Sequence, residues 1–267
     1  MLTDFAGVDL AGVDLAGVDW AGVDWWGVAL AALAIALGGV LKGATGAGAP
    51  IVAVPLLAML YDVQFAVTVF AVPNLLSNLW QGWSFRRARL PAAFIVTFAA
   101  GGGVGAMIGT VMLASLAPEL LLLMTAGAVF VYIAFRMMRP GWTLRYPLAV
   151  ALAGPVGVLA GVLQGASGVS APVSLSFLNA MKLERATFIA TVSVFFAGVT
   201  ALQLVPLVGY GFMTPLRFAL GLGALAVIAG FMPLGALAAR HISRETFDRV
   251  ILALLAVIAV RLVMTAI

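Results

Sequence analysis

Gly39-Val40-Leu41-Lys42-Gly43-Ala44-Thr45-Gly46-Ala47-Gly48-Ala49-Pro50 returns 122 residues later, without a gap, as Gly161-Val162-Leu163-Gln164-Gly165-Ala166-Ser167-Gly168-Val169-Ser170-Ala171-Pro172. Eight of the twelve positions are identical. The same offset pairs Leu56 with Leu178, Ala58 with Ala180, Met59 with Met181, Asp62 with Glu184 and Gln81 with Gln203. The match outlasts the glycines, so the chain carries a duplicated unit.

Around each copy lie five apolar blocks. The first set runs from Trp25 to Leu41, Pro50 to Leu60, Val63 to Trp83, Leu90 to Leu116 and Leu120 to Phe135. The second runs from Pro147 to Leu163, Pro172 to Met181, Ala186 to Leu207, Leu216 to Ala239 and Phe247 to Ile267. With 64% of the 267 residues hydrophobic and 9% charged, a water-soluble fold lacks the polar surface it needs. The second block of each set is too short to cross a bilayer, since about 11 helical residues reach about 16 Å against a hydrocarbon core of about 30 Å. Each is expected to be a half-helix, and a break at membrane depth must find its hydrogen-bond partners in protein or in a wet cavity.

Several chemistries are disfavoured. Cysteine is absent, and the single histidine, His241, stands beside Arg240 and Arg244 in a polar turn, so no metal and no cofactor are expected. A net charge of +4 could suggest nucleic acid, but the basic residues are spread through turns and form no face, so a nucleic-acid partner is not expected. Residues 1–24 repeat a five-residue unit carrying Asp4, Asp9, Asp14, Asp19 and Asp24. They read as an Asp-rich extracytoplasmic extension, because so few units could not bury a core of their own.

The basic turns set the orientation: Arg86, Arg87 and Arg89; Arg136, Arg139 and Arg145; Lys182 and Arg185; Arg240, Arg244 and Arg249. Placing all four in the cytoplasm puts 11 of 14 Lys and Arg inside and 7 of 10 acidic residues outside. It also makes the hairpin at Gln164 enter from the cytoplasm and its homologue at Lys42 enter from outside. The expected fold is therefore an all-α polytopic membrane protein of two inverted-topology five-element repeats, 25–140 and 141–267, each with a broken or re-entrant half-helix. Inverted repeats with broken helices are a recurring plan of secondary transporters.

The residues at these breaks resemble the TauE/SafE sulfite exporter family, through Gly43-Ala44-Thr45-Gly46-Ala47-Gly48-Ala49-Pro50-Ile51-Val52-Ala53-Val54-Pro55-Leu56-Leu57 and Gly165-Ala166-Ser167-Gly168-Val169-Ser170-Ala171-Pro172. The resemblance implies transport, usually outward, of sulfite or of an organosulfonate such as sulfoacetate across a bacterial inner membrane. The chain departs from the family pattern at Ala49-Pro50 and Ala171-Pro172, where further glycines are common, and Phe177 stands where the first motif has Pro55.

The residues point to an anion without the family. Pro50 and Pro172 suit the first turn of a helix, whose free N–H groups and positive dipole end attract anions, so the anion is expected between the two half-helix N-termini near the midplane. Glycines 43, 46, 48, 165 and 168 let the backbone approach a ligand, and Thr45, Ser167 and Ser170 offer hydroxyl donors. Lys42 is an intramembrane charge whose repeat partner is the neutral Gln164; snorkelling to an interface is the alternative. Asn74, Asn78 and Gln81 share one helical face, with Gln203 at the repeat position of Gln81; hydrogen bonding between helices is the alternative. The expected substrate-binding set is thus Lys42, Gly43, Thr45, Gly46, Gly48, Asn74, Asn78, Gln81, Gln164, Gly165, Ser167, Gly168, Ser170 and Gln203. For Gly101, Gly102, Gly103, Gly105 and Gly109, close helix packing is the reading.

Three rival functions are weighed. An anion channel can share a polar break lined by donors, and a receptor or structural role is a further alternative. An intramembrane serine protease would use Ser167 in Gly165-Ala166-Ser167-Gly168, but a base is lacking, and the sister motif replaces the serine with Thr45. The expected partners are the small anionic substrate, the lipid bilayer and a coupling ion left open, and a homo-oligomer is compatible. No Asp or Glu falls clearly within an apolar block, Asp248 standing only at the edge of the last one, so a carboxylate proton relay is not expected.

Overall fold

The computed structural model describes residues 24–138, 142–241 and 244–267. The Asp-rich repeat up to residue 23 lies outside them, as does Arg139 of the second basic turn. The described chain is all-helical: α1 (Trp25–Thr45), α2 (Ala49–Leu60), α3 (Val63–Ser84), α4 (Ala92–Ser115), α5 (Pro118–Met138), α6 (Tyr146–Ser167), α7 (Ala171–Ala180), α8 (Arg185–Gly209), α9 (Pro215–His241) and α10 (Arg244–Ala266). A single 3-10 turn, Arg86–Ala88, joins α3 to α4.

Seven of these helices, α1, α3, α4, α5, α6, α8 and α9, are long and apolar enough to cross a membrane. The chain is a multi-pass membrane protein. At 12 and 10 residues, α2 and α7 are the short elements expected from the two motifs. α1 runs four residues past Leu41 and α6 four past Leu163, so Lys42 and Gln164 belong to the last turns of these helices and not to the breaks that follow.

Helix starts are set by local chemistry. Asp24 accepts from Gly27 N at 3.0 Å, and Asp62 accepts from Phe65 N at 2.6 Å, each satisfying a donor that the helix leaves open. The ends of each hairpin meet. Gly27 at the start of α1 faces the Tyr61 hydroxyl just beyond α2. Burial, and then the Asp24 carboxylate, push the Tyr61 pKa above its ordinary value. In the second half, Leu144 N donates to Ala180 O at 2.7 Å, tying the entry of α6 to the exit of α7.

The most buried spans are α3 and α8, which form the centre. They run antiparallel: Asn74 meets Thr200 while Gly82 meets Ser193. Around them, α6 packs on α4 and α1 packs on α9 through glycines. A Cβ at Gly161 would point at Gly102 O and one at Gly165 at Ala106 O; likewise one at Gly39 would meet Ile228 O and one at Gly43 Met232 O. The reciprocal contacts, Gly109 on Val162 and Gly235 on Val40, also correspond. In both pairs residue numbers rise together, so the helices of each pair run parallel. Lipid tails are as apolar as the side chains, so association rests on this close van der Waals approach. Gly101 and Gly105 press on Gly154 and Val158 in the same way, and Gly102 and Gly103 meet side chains of α8, which agrees with the packing reading of this run.

Candidate functional site

Both breaks are built alike. α1 closes at Gly46 (φ +80°), whose N–H donates to Lys42 O at 2.7 Å, and α6 closes at Gly168 (φ +70°), whose N–H donates to Gln164 O at 2.8 Å. This left-handed conformation is one that glycine adopts at little cost. Gly48 (φ +101°) then caps α2 and Ser170 caps α7, with Pro50 and Pro172 in the first turn as expected. The missing side chains leave room for protein. A Cβ at Gly46 would lie 2.3 Å from Ile189 Cγ1, and one at Gly168 would lie 2.7 Å from Val54 Cγ1 and 3.1 Å from Val67 Cγ2. Ile189 and Val67 are themselves 122 residues apart, so each break rests on the third helix of the other half.

The hydroxyls turn back on their own helices. Thr45 Oγ1 donates to Leu41 O and Ser167 Oγ donates to Leu163 O, both at 2.8 Å. Their lone pairs accept from Ala47 N at 3.3 Å and Val169 N at 3.4 Å. Thr45 also contacts the Ala47 carbonyl. In this arrangement their protons go to the chain's own carbonyls. Ser170 Oγ pairs with Ser174 Oγ at 3.2 Å.

Lys42 is buried, with 2% of its surface exposed, which removes the snorkelling alternative. Its Nζ donates to Asn78 Oδ1 at 2.8 Å. Asn78 Nδ2 donates to Asn74 O at 2.7 Å and Asn74 Oδ1 at 2.9 Å, and Asn74 Nδ2 donates to Thr200 Oγ1 at 2.8 Å. One relay thus crosses from α1 through α3 to α8. The sequence reading grouped Lys42, Asn74 and Asn78 but missed Thr200, which stands at the repeat position of Asn78.

The second half has a weaker counterpart. Gln203 Nε2 reaches Gln164 O at 3.5 Å, while Gln164 Oε1 is buried and has no hydrogen-bond partner among the described residues. Gln81 Oε1, Thr191 Oγ1 and Ser193 Oγ are in the same state. Such atoms cost about 1–3 kcal/mol each if nothing answers them, which marks this region as one that expects further polar company.

A cavity of about 530 Å³ opens beside the first break, lined by Gly43, Gly46, Trp80, Gln81, Phe85, Glu184, Arg185, Ala186, Ile189, Met232 and Ala236. A neighbouring hollow of about 460 Å³ is lined by Ser84, Phe85, Arg86, Arg87 and Ala88. Between them they carry residues of two basic turns, Arg86 and Arg87 of one and Arg185 of the other. Arg185, read from sequence only as a topology signal, lines the cavity and donates to Ala44 O at 3.3 Å. Most repeat equivalents of the lining are closed off: Gly165, Gly168, Gln203 and Leu207 are buried, as are Ala106 and Thr110, which match Met232 and Ala236 when the glycine contacts of α4 and α9 are aligned (Gly109 with Gly235), whereas Leu202 and Asp62 are exposed. Gln64 Nε2 bonds Leu113 O at 3.0 Å on that side. Gly43, Gly46 and Gln81 therefore share an open space, Lys42, Asn74 and Asn78 form the relay behind it, and Gly165, Ser167, Gly168 and Ser170 sit in packed protein. Gly48 lies near Leu41 and Ile51, away from the cavity.

Over residues 30–262 the sequence matches the family model described as Sulfite exporter TauE/SafE. No curated protein and no solved structure matches the chain.

Proposed function

The chain belongs to the sulfite exporter TauE/SafE family, a family of membrane transporters and not of enzymes, and on that premise we propose that it carries sulfite or an organosulfonate such as sulfoacetate outward. The setting is a bacterial inner membrane. The observation that carries this reading is Lys42, a cation buried in the last turn of α1 one residue from Gly43, which lines the cavity. An intramembrane charge costs at least about 2.5–3.5 kcal/mol, so it is retained for what it binds. A sulfonate or sulfite oxyanion entering at Gly43, Gly46 and Gln81 comes up beside that charge. Asn78, itself held by Asn74, keeps the Lys42 amino group in place. Arg185 stands at the mouth and draws anions in.

We read 25–140 and 141–267 as inverted repeats around a site near the midplane. Four observations support this: the motif copies, the corresponding glycine contacts of α1 with α9 and α6 with α4, the hairpin ends that meet at Asp24/Tyr61 and at Leu144/Ala180, and the parallel run of α4 with α6. With the basic turns in the cytoplasm, the cavity is an inward-facing vestibule. Its buried repeat equivalents, Ala106, Thr110 and Gln203 among them, become the lining when the carrier faces outward. Substrate then passes by exchange of two equivalent arrangements.

The test is a thermal-shift screen of the purified chain with sulfite, sulfoacetate, sulfate, taurine and carboxylates. Stabilisation by the sulfur oxyanions that is lost in Lys42→Gln supports the reading; no stabilisation by any of them, or equal stabilisation of the variant, contradicts it.

A further inference from the structure

We propose that the anion crosses together with one proton carried on Lys42 Nζ, so that the coupling ion is H⁺. This rests on the anion-carrier reading above and names its second substrate. Asn74 gives its amide N–H to Thr200 on α8 and Asn78 gives its own to the Asn74 carbonyl and Oδ1, which leaves Asn78 Oδ1 as the acceptor facing α1. What Asn78 Oδ1 asks of Lys42 is one N–H. An ammonium has three and a neutral amine has two, so the network is complete with either. Nothing in it holds the charge.

Nor do the surroundings. Of the elements packed about the end of α1, α2 and α3 contain no ionisable side chain. The ionisable groups of the others stand at helix ends: Glu184 and Arg185 at the cavity mouth on α8, Arg217 at the start of α9, Arg240 and His241 at its end, and Asp24 ahead of α1 beside Tyr61. Among the described residues no carboxylate pairs with Lys42. A buried ammonium without a partner is strongly disfavoured, and it can be relieved by loss of the proton or by arrival of an anion. The cavity at Gly43 and Gly46 is where the anion arrives. Anion and proton therefore bind as mutual requirements, each raising the affinity of the other by the same factor. On loading, a proton from solution forms an N–H bond at the Nζ lone pair as the anion enters. On release, that bond breaks and the proton leaves with the anion. For a monovalent anion the transfer moves no net charge.

The experiment uses the full chain in proteoliposomes with methanesulfonate, a fully ionised monoanion that carries no proton itself, and then sulfoacetate. Anion flux and internal pH are followed together while valinomycin and potassium set the membrane potential. Co-transport gives one proton per anion, a methanesulfonate rate indifferent to a clamp of about 100 mV, and an apparent affinity that falls up to tenfold per pH unit on the alkaline side. Saturable anion flux that moves no protons and follows the potential overturns the proposal and leaves the carrier reading intact. Absence of saturable flux for both anions overturns the carrier reading and the proposal with it. Lys42→Arg adds a second arm, since a guanidinium stays protonated throughout. The variant should carry the anion without protons, with a pH-independent and potential-driven rate. Wild-type proton movement in Lys42→Arg removes Lys42 as the carrier of the proton. If the variant yields no folded protein, the pH dependence of wild-type affinity decides: a flat profile overturns the proposal.

Discussion

The backbone of Gly165 lies against that of Ala106, so closely that an added Cβ would stand 2.3 Å from the Ala106 carbonyl oxygen. Gly43 meets Met232 O in the same way, at 1.9 Å. Backbone cannot move aside as a side-chain tip can, so overpacking here should cost at least the usual 1–3 kcal/mol, that is about that amount or more. Gly165→Val and Gly43→Val are expected to lower the yield of monodisperse detergent-extracted protein and its Tm sharply. Gly127→Ala, where nothing lies within 4 Å, should leave both unchanged.

Gly46→Ala and Gly168→Ala are expected to destabilise the chain in the absence of any ligand. Each forces a side chain into left-handed backbone, at about 1–2 kcal/mol, and into a neighbour as well. Adding Ile189→Ala to Gly46→Ala relieves the contact and leaves the backbone strain. The double variant should therefore be more stable than the sum of the single effects, measured as a coupling energy from thermal unfolding. Simple additivity would show that Ile189 is not what the missing side chain makes room for.

The inverted arrangement fixes which loops face which side. The chain lacks cysteine, so single cysteines can be placed cleanly. Cysteines at positions 87 and 241 should react with an impermeant thiol reagent only from the cytoplasm, and those at 62 and 118 only from outside. Labelling of 62 and 87 from one side would contradict it.

The vestibule makes a paired forecast. Ala236 lines the open cavity, and Thr110, its counterpart when Gly235 is matched with Gly109 through their helix contacts, is buried. Ala236→Cys should react from the cytoplasmic side and be shielded by bound anion. Thr110→Cys should be unreactive at rest and become reactive from outside during turnover. Reaction of both from the cytoplasm at rest would mean that the two paths are not alternatives.

Much of the helical layout was legible because a membrane span must be apolar on every side, so that each of the ten blocks became a helix without any need to read its periodicity. The 122-residue offset likewise located both short helices. Helix ends were less legible. The first apolar block ends at Leu41, ahead of Gly43, yet α1 continues to Thr45, with Gly43 packed at backbone distance on α9. Which helix packs on which is written in no local pattern, so the pairing of α1 with α9 and of α6 with α4 could not be read. The candidate site was half legible. Lys42 and Asn78 were found by charge and spacing, whereas Thr200 could have been found by applying the repeat offset to Asn78. Arg185 was missed because a basic turn serves orientation and binding with the same residue type. The partners of Thr45 and Ser167 were not legible, since a hydroxyl near a helix end bonds back to the carbonyl four residues earlier as readily as it faces a ligand.

The most direct measurement is saturable anion binding to the purified chain and its Lys42 variants, by thermal shift and by isothermal titration with sulfite and sulfoacetate at fixed ionic strength. Wild type should bind, Lys42→Arg should retain measurable binding, and Lys42→Gln, folded and monodisperse, should lose at least about tenfold in affinity, the equivalent of about 1.4 kcal/mol. Sulfite and sulfoacetate binding to a folded Lys42→Gln protein with wild-type affinity would contradict the assignment of the anion site to Lys42.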